Sequence, residues 1–214
     1  MANIFHEVDE EVRRERMRQF WERYSLLVVI VVVLVVGGIA GWRGYEYLQN
    51  QRAAEAGAQF EAAARLADSG SLADAEKEFA RIAESAPAGY RLLASLRAAQ
   101  AKGDRAAAVT AFDAIAADSA VNAIYRDLAA LRSGFLLVDT APFPDMQQRL
   151  EPLTGTDRTF RHSARELLAL SAFRTKDYDA MRRWAQVITE DAESPAGLRS
   201  RIEAMMALAD TAKG

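Results

Sequence analysis

The sequence predicts an all-α protein: one N-terminal transmembrane helix followed by an α-hairpin solenoid. Three observations carry this expectation. Residues 24–42 hold no charged side chain. Residues 43–214 contain no alternating strand pattern and are rich in alanine, with turn signals at the spacing of helical hairpins. Short patterns recur 33–35 residues apart, the period of stacked helix–turn–helix units.

Composition narrows the function classes. The chain has 214 residues, with 27 Lys+Arg against 30 Asp+Glu and a formal net charge of -3. That acidic balance argues against a general binder of phosphate backbones, and no nucleic-acid partner is expected. The chain has no cysteine. Disulfides, thiolate catalysis and cysteine-ligated metal centres are therefore excluded. Half of the residues are apolar, and Pro (5) and Gly (12) are sparse, so the chain has the means to bury a core.

Residues 1–24 read as a charged cytoplasmic arm. Ile4, Phe5, Val8 and Val12 are spaced for one helical face, and Met17, Phe20, Trp21 and Tyr24 form a second, rotated set. An amphipathic helix on lipid headgroups and a docking helix for a protein partner fit this pattern equally well.

Residues 25–42 read as the transmembrane helix. The uncharged run is too long for a buried strand, and at ~1.5 Å per residue it matches the ~30 Å hydrocarbon core. Trp21 and Tyr24 stand at one end, and Trp42, Tyr45 and Tyr47 at the other, as in the aromatic belts of two interfaces. A cleaved signal is the competing reading, with Gly38-Ile39-Ala40 as the cleavage triplet. The many acids before the span disfavour it. Arg13, Arg14, Arg16, Arg18 and Arg23 precede the span, whereas Arg43 and Arg52 follow it. The bias places the N-terminus in the cytoplasm. Gly37 and Gly41 match the small-xxx-small packing pattern of membrane helices.

Residues 43–68 read as a stalk and first helix, with no Pro- or Gly-rich linker. Residues 69–214 read as the repeat domain. Leu72-Ala-Asp-Ala75, Phe79 and Ile82 return 33 residues later as Arg105-Ala-Ala-Ala108, Phe112 and Ile115. Tyr90-Arg91, Ala94 and Leu96-Arg97 return 35 residues later as Tyr125-Arg126, Ala129 and Leu131-Arg132, and Phe160-Arg161 opens a third copy. Pro87-Ala-Gly-Tyr-Arg91 returns as Pro195-Ala-Gly-Leu-Arg199. Small residues at fixed places let paired helices approach, and the bulky ones fill the seams between neighbours. Further helices are expected near 72–85, 88–102, 105–118, 121–139, 144–152, 158–175, 178–191 and 196–211.

These repeats resemble the tetratricopeptide repeat. Gly70, Leu72, Ala75, Phe79 and Pro87 follow that family's second-helix pattern in order; Gly103, Asp104, Ala108 and Phe112 follow it less fully. Lys176-Asp177-Tyr178-Asp179-Ala180 and Trp184 resemble it again, whereas Pro142, Pro144 and Pro152 break the third hairpin. The whole layout is similar to the ancillary SecYEG translocon subunit family. Its members open much like Asn3-Ile-Phe-His-Glu-Val-Asp-Glu-Glu-Val-Arg-Arg-Glu-Arg16 and carry an aromatic cluster like Phe20-Trp21-x-x-Tyr24 before the span. That resemblance implies a bacterial inner-membrane protein with periplasmic repeats. It also implies association with the SecYEG translocon and a membrane-anchored periplasmic chaperone of the peptidyl-prolyl isomerase type, in the traffic of exported proteins. Composition and periodicity alone imply an anchored repeat scaffold in contact with membrane lipid. A scaffold for another envelope complex, in cell division or outer-membrane biogenesis, fits them as well.

No catalytic constellation stands out. His162 and Glu166 are four residues apart on one expected helix face, too few groups for a metal site. No phosphate loop or nucleophile elbow is present, so neither cofactor nor metal nor enzymatic activity is expected. The arginines that follow each repeat aromatic are the candidate partner-binding set: Arg91, Arg126, Arg161 and Arg199. They form either a cationic ladder for an acidic segment or chain terminus, or repeat-inherited positions with local salt bridges. Tyr90, Tyr125 and Phe160 are expected in the packing seams.

Overall fold

The computed structural model describes residues 3–211, with side chains described at Arg14, Met17, Arg18 and from Trp21 onward. The expected amphipathic face of Ile4, Phe5, Val8 and Val12, with His6 and Phe20, lies outside the described side chains. Among the described residues the protein is all-helical, with no strand. The helices are α1 (Asn3–Asp68), α2 (Leu72–Ser85), α3 (Ala88–Ala101), α4 (Arg105–Ala117), α5 (Ala123–Leu137), α6 (Phe143–Leu150), α7 (Arg161–Arg174), α8 (Tyr178–Glu190) and α9 (Ala196–Thr211), with a 3₁₀ turn at Glu151–Leu153. The chain forms two compact units that divide between Ala54 and Glu55, and α1 contributes residues to both.

In the first unit, the part of α1 from Trp21 onward is long and apolar enough to cross a membrane, and none of its most apolar stretch is buried in protein. Leu27, Val29, Ile30, Val31 and Val32 are all exposed, on every side of the helix. A helix that is apolar all round needs either a protein core or lipid around it. Among its described residues the first unit supplies no core, so its composition and exposure are compatible with a membrane anchor.

The second unit is a series of helical hairpins. α2 packs chiefly on α3, α4 on α5, and α7 on α8; α3 meets α4, α5 meets α6 and α7, and α9 lies on α8 and α7. The repeat alanines explain these approaches. Ala75, Ala94, Ala129, Ala164 and Ala180 are completely buried, and Ala108 nearly so. Phe79 and Phe112, the matching aromatics, are buried as well. Apolar burial is divided into three clusters along the chain. The first joins α1, α2 and α3 through Ala63, Ala75, Phe79, Ile82 and Ala94. Residues 55–68 of α1 therefore act as a first repeat helix, with the Phe60 ring edge-on to Phe79 at 5.2 Å. The second is small: Ala99, Phe112 and Ala129, between α3, α4 and α5. The third is much the largest and includes Leu150, Leu167, Leu168, Met181, Ile188 and Ile202 from α5 to α9.

The helix ends follow local chemistry. α1 closes on Gly70 at φ 84, with Ser71 N–H donating to the Leu66 carbonyl at 2.9 Å and Gly70 N–H to Ala67 at 3.0 Å. This is the left-handed helix stop that glycine adopts at least cost. α7 ends the same way, with Lys176 at φ 62 and Asp177 N–H donating to Ala172 at 2.9 Å. Asp104, Asn122 and Asp177 cap α4, α5 and α8 through their side-chain oxygens. The Asn122 cap starts α5 at Ala123 rather than the expected 121, because its Oδ1 takes the Ile124 N–H. α7 starts at Arg161 rather than 158, since residues 155–158 form a turn closed by Arg158 N–H on the Gly155 carbonyl.

Candidate interaction surface

The four arginines singled out by the repeats sit on α3, α5, α7 and α9. α5 touches α7 and α7 touches α9, so the last three occupy successive neighbouring helices. Their surroundings differ. Arg91 is exposed and lines an open groove of about 650 Å³ with Leu92, Ile115 and Val121. Arg126 is half-buried, and its Nε has no hydrogen-bond partner among the described residues. Arg161 is tied into an ion cluster with Asp191, at 3.5 Å, and Glu193. Arg199 is half-buried on the last helix. Of the seam aromatics, Tyr90 and Phe160 are half-buried against core clusters, whereas Tyr125 is exposed.

The ion cluster is a structural joint between α7 and the α8–α9 connection. Its centre is Arg165, a buried guanidinium that no repeat pattern marks. Its Nη1 donates to Asp191 at 2.7 Å, and its Nε and Nη2 both donate to the Thr154 carbonyl, at 3.1 and 2.8 Å. A buried charge needs this full set of partners. Arg165, then the Glu193 backbone N–H and Arg161, hold the Asp191 carboxyl well below the usual range, at about 2. His162 Nδ1 stands 3.3 Å from Ser194 Oγ and 4.0 Å from Asp191. Burial first, and the Arg161 charge second, lower the pKa of the imidazole. Ser194 and Asp191 face the same ring nitrogen, which leaves no relay from serine through histidine to carboxylate. Glu166 does not join His162. It takes a hydrogen bond from Arg201 of α9 at 2.7 Å, which raises the Arg201 pKa.

A different set of cations is free. α3 to α5 and their connections carry six, Arg91, Arg97, Lys102, Arg105, Arg126 and Arg132, and four carboxylates. All four carboxylates are engaged. Asp104 caps α4, Asp118 accepts from Ala120 N–H at 2.9 Å, Asp113 pairs with Arg149 of α6, and Asp127 pairs with Arg158 at 3.1 Å. Lys102 pairs with Glu76 at 2.6 Å. The other five cations have no carboxylate partner among the described residues. Arg105 and Arg132 flank a groove of about 340 Å³ whose walls include Phe112, Phe135 and Leu136. Phe135 is half exposed. Arg97 and Arg132 already align in the 35-residue repeat, so a signal for them existed. What the repeat does not show is which arginine finds a carboxylate in the fold.

The chain was compared with known proteins. No curated protein and no solved structure matches it. The family model of the tetratricopeptide repeat-like domain matches residues 18–168, which takes in the apolar stretch of α1 and most of the helical hairpins. The chain belongs to the tetratricopeptide repeat-like domain family.

Proposed function

We propose that this protein is a membrane-tethered, non-enzymatic interaction scaffold that serves the SecYEG translocon. On this reading it links the translocon to a membrane-anchored periplasmic chaperone of the peptidyl-prolyl isomerase type and to exported clients. The observation that carries it is the pairing, on one chain, of an apolar α1 segment with exposed valines and leucines and a tetratricopeptide repeat-like domain. Repeat domains of this kind serve as protein-interaction scaffolds. Tethering one to a bilayer raises its effective concentration at membrane-embedded partners. The arginine bias before the span supports a cytoplasmic N-terminus and a repeat domain on the periplasmic side of an inner membrane. The opening residues 3–24 support the translocon over other envelope machines.

In-cell photo-crosslinking from positions in the span and on α3, α5 and α7 tests the reading. Crosslinks to a translocon subunit and to an anchored prolyl isomerase are the expected result. Crosslinks only to cell-division or outer-membrane assembly proteins would refute the translocon assignment. Protection of the repeat domain from protease added at the periplasmic face would refute the topology.

A further inference from the structure

We propose that the groove between the end of α3, the start of α4 and the second half of α5 binds an acidic segment of a partner protein that presents an apolar side chain. This deepens the scaffold reading and rests on it. Two observations on separate grounds meet at this groove. The first is charge. The chain is net acidic, yet α3 to α5 hold more cations than carboxylates, and every carboxylate there already serves a cap, a turn or an ion pair. Arg105 and Arg132 therefore face the groove with their charge uncompensated. Lys102 is on the same rim, held by Glu76. The second is shape. The walls between the cations are apolar, and Phe135 stands half exposed beside the buried Phe112. The cluster beneath has only three buried residues, two of them alanines.

An occupant matching both features carries carboxylates spaced around a leucine-like or aromatic side chain. The side chain covers Phe135 and Leu136, and the carboxylates take the guanidinium forks, the strong charge-assisted geometry. A phosphate backbone or an anionic bilayer is gripped by a broad field of cations, several phosphates at a time. Two free cations on an apolar floor suit a peptide better.

The test uses the full chain in zwitterionic nanodiscs, titrated by fluorescence anisotropy against an array of short labelled peptides. These carry Glu and Asp around one Leu, Phe or Trp, and each has a counterpart with Gln and Asn in place of the acids. We expect acidic–apolar peptides to bind and their neutral counterparts to fail. R105E/R132E should weaken binding about 10- to 100-fold. Arg132→Lys should retain part of it, and Phe135→Ser should weaken it without altering the salt dependence. R183E, on α8, serves as a charge control and should bind as the unmodified chain does. Arg105 and Arg132 are exposed and unpaired, so their reversal should leave the helical circular dichroism and thermal midpoint intact.

Failure of every acidic peptide overturns the proposal. So does equal loss in R183E, which marks nonspecific attraction. Adhesion to phosphatidylglycerol vesicles that R105E/R132E abolishes, with no peptide bound, overturns it in favour of a lipid surface. The two readings fail separately: absent translocon crosslinks with intact peptide binding removes the machine and keeps the groove, and the reverse result removes the groove alone.

Discussion

Phe79→Ala tests whether the repeat domain is held together neighbour by neighbour. Phe79 is buried between α1, α2 and α3, with its ring edge-on to Phe60 at 5.2 Å. Its cluster has five buried residues, three of them alanines, so Phe79 and Ile82 supply nearly all of the bulk. Truncating a buried Phe to Ala costs about 3–5 kcal/mol, and the lost ring pair is already within that loss. Phe60, Leu66 and Tyr90 pack around it only partly buried, so they can close part of the cavity, which places the cost near the middle of that range. In a stack of repeats this loss falls on the local opening of α2 and α3, not on the distant helices. Hydrogen exchange read by mass spectrometry on the full chain in nanodiscs is the assay. An opening made easier by about 4 kcal/mol accelerates exchange roughly a thousandfold in α2 and α3. The amides of α7 and α8, in the largest cluster, should keep their unmodified rates. Equal acceleration along all the helices would refute the neighbour-by-neighbour account, because it would mean that the three clusters unfold as one.

Three further outcomes follow from the structure. Gly134→Ala in α5 should destabilise by about 1–2 kcal/mol in urea unfolding followed by Trp184 fluorescence: an added Cβ would lie 2.9 Å from the Leu150 Cδ2, which is fully buried and has nowhere to go, and overpacking outweighs the roughly 1 kcal/mol gain in helix propensity. Lys176→Gly should raise stability by about 1 kcal/mol in the same measurement, since φ 62 strains any side chain and suits glycine. Acid should loosen the α7 joint in two stages. The lowered His162 pKa means that the unfolded chain binds the proton first, so stability declines as the pH falls below about 6.5. The lowered Asp191 pKa gives stability that is present above about 4 and lost as the pH falls toward 2. Thermal midpoints across pH check this: His162→Gln should flatten the first decline and Asp191→Asn the second.

Much of the fold was legible in the sequence because the repeat leaves its mark on core positions. Ala75 and Ala108, Phe79 and Phe112, and Ala94 and Ala129 recur at fixed offsets, and all of them are buried. Burial is a property of a position on a helix face, which periodicity reports directly. One helix limit shifted where a side chain competes for backbone groups, as Asn122 does at the start of α5, and another where a backbone turn at 155–158 delays α7. The broken third hairpin was legible through its prolines, but not its solution, a two-turn α6 continued as a 3₁₀ turn. Site residues were harder to read. Arg91, Arg126, Arg161 and Arg199 are equivalent in the pattern, yet Arg161 meets Asp191 and Glu193 whereas Arg91 meets no carboxylate among the described residues. Pairing depends on acids 30 or more residues away, outside any repeat unit. Arg165 was invisible because its partners, the Thr154 carbonyl and Asp191, are brought to it by two separate connections.

The distribution of cores and charges along the repeat domain has a mechanical consequence. From α6 onward the large cluster is joined by ion pairs that tie distant segments, such as Arg165 to Asp191, Arg182 to Asp210 and Arg201 to Glu166. Between α3 and α5 the core is three residues, and its cations are mostly free. The part of the domain with the least internal burial is therefore the part with the most unspent charge. A partner segment that seats an apolar side chain beside Phe112 and Phe135 adds burial where the fold has least of it. Binding and local order in α3 to α5 are then linked: a partner at a hundred times its dissociation constant stabilises that region by about 2.7 kcal/mol. By the same linkage, a substitution that loosens α4 outside the groove, such as Ile115→Ala, weakens the partner's hold without touching it, because part of the binding free energy is consumed in restoring the helix pair.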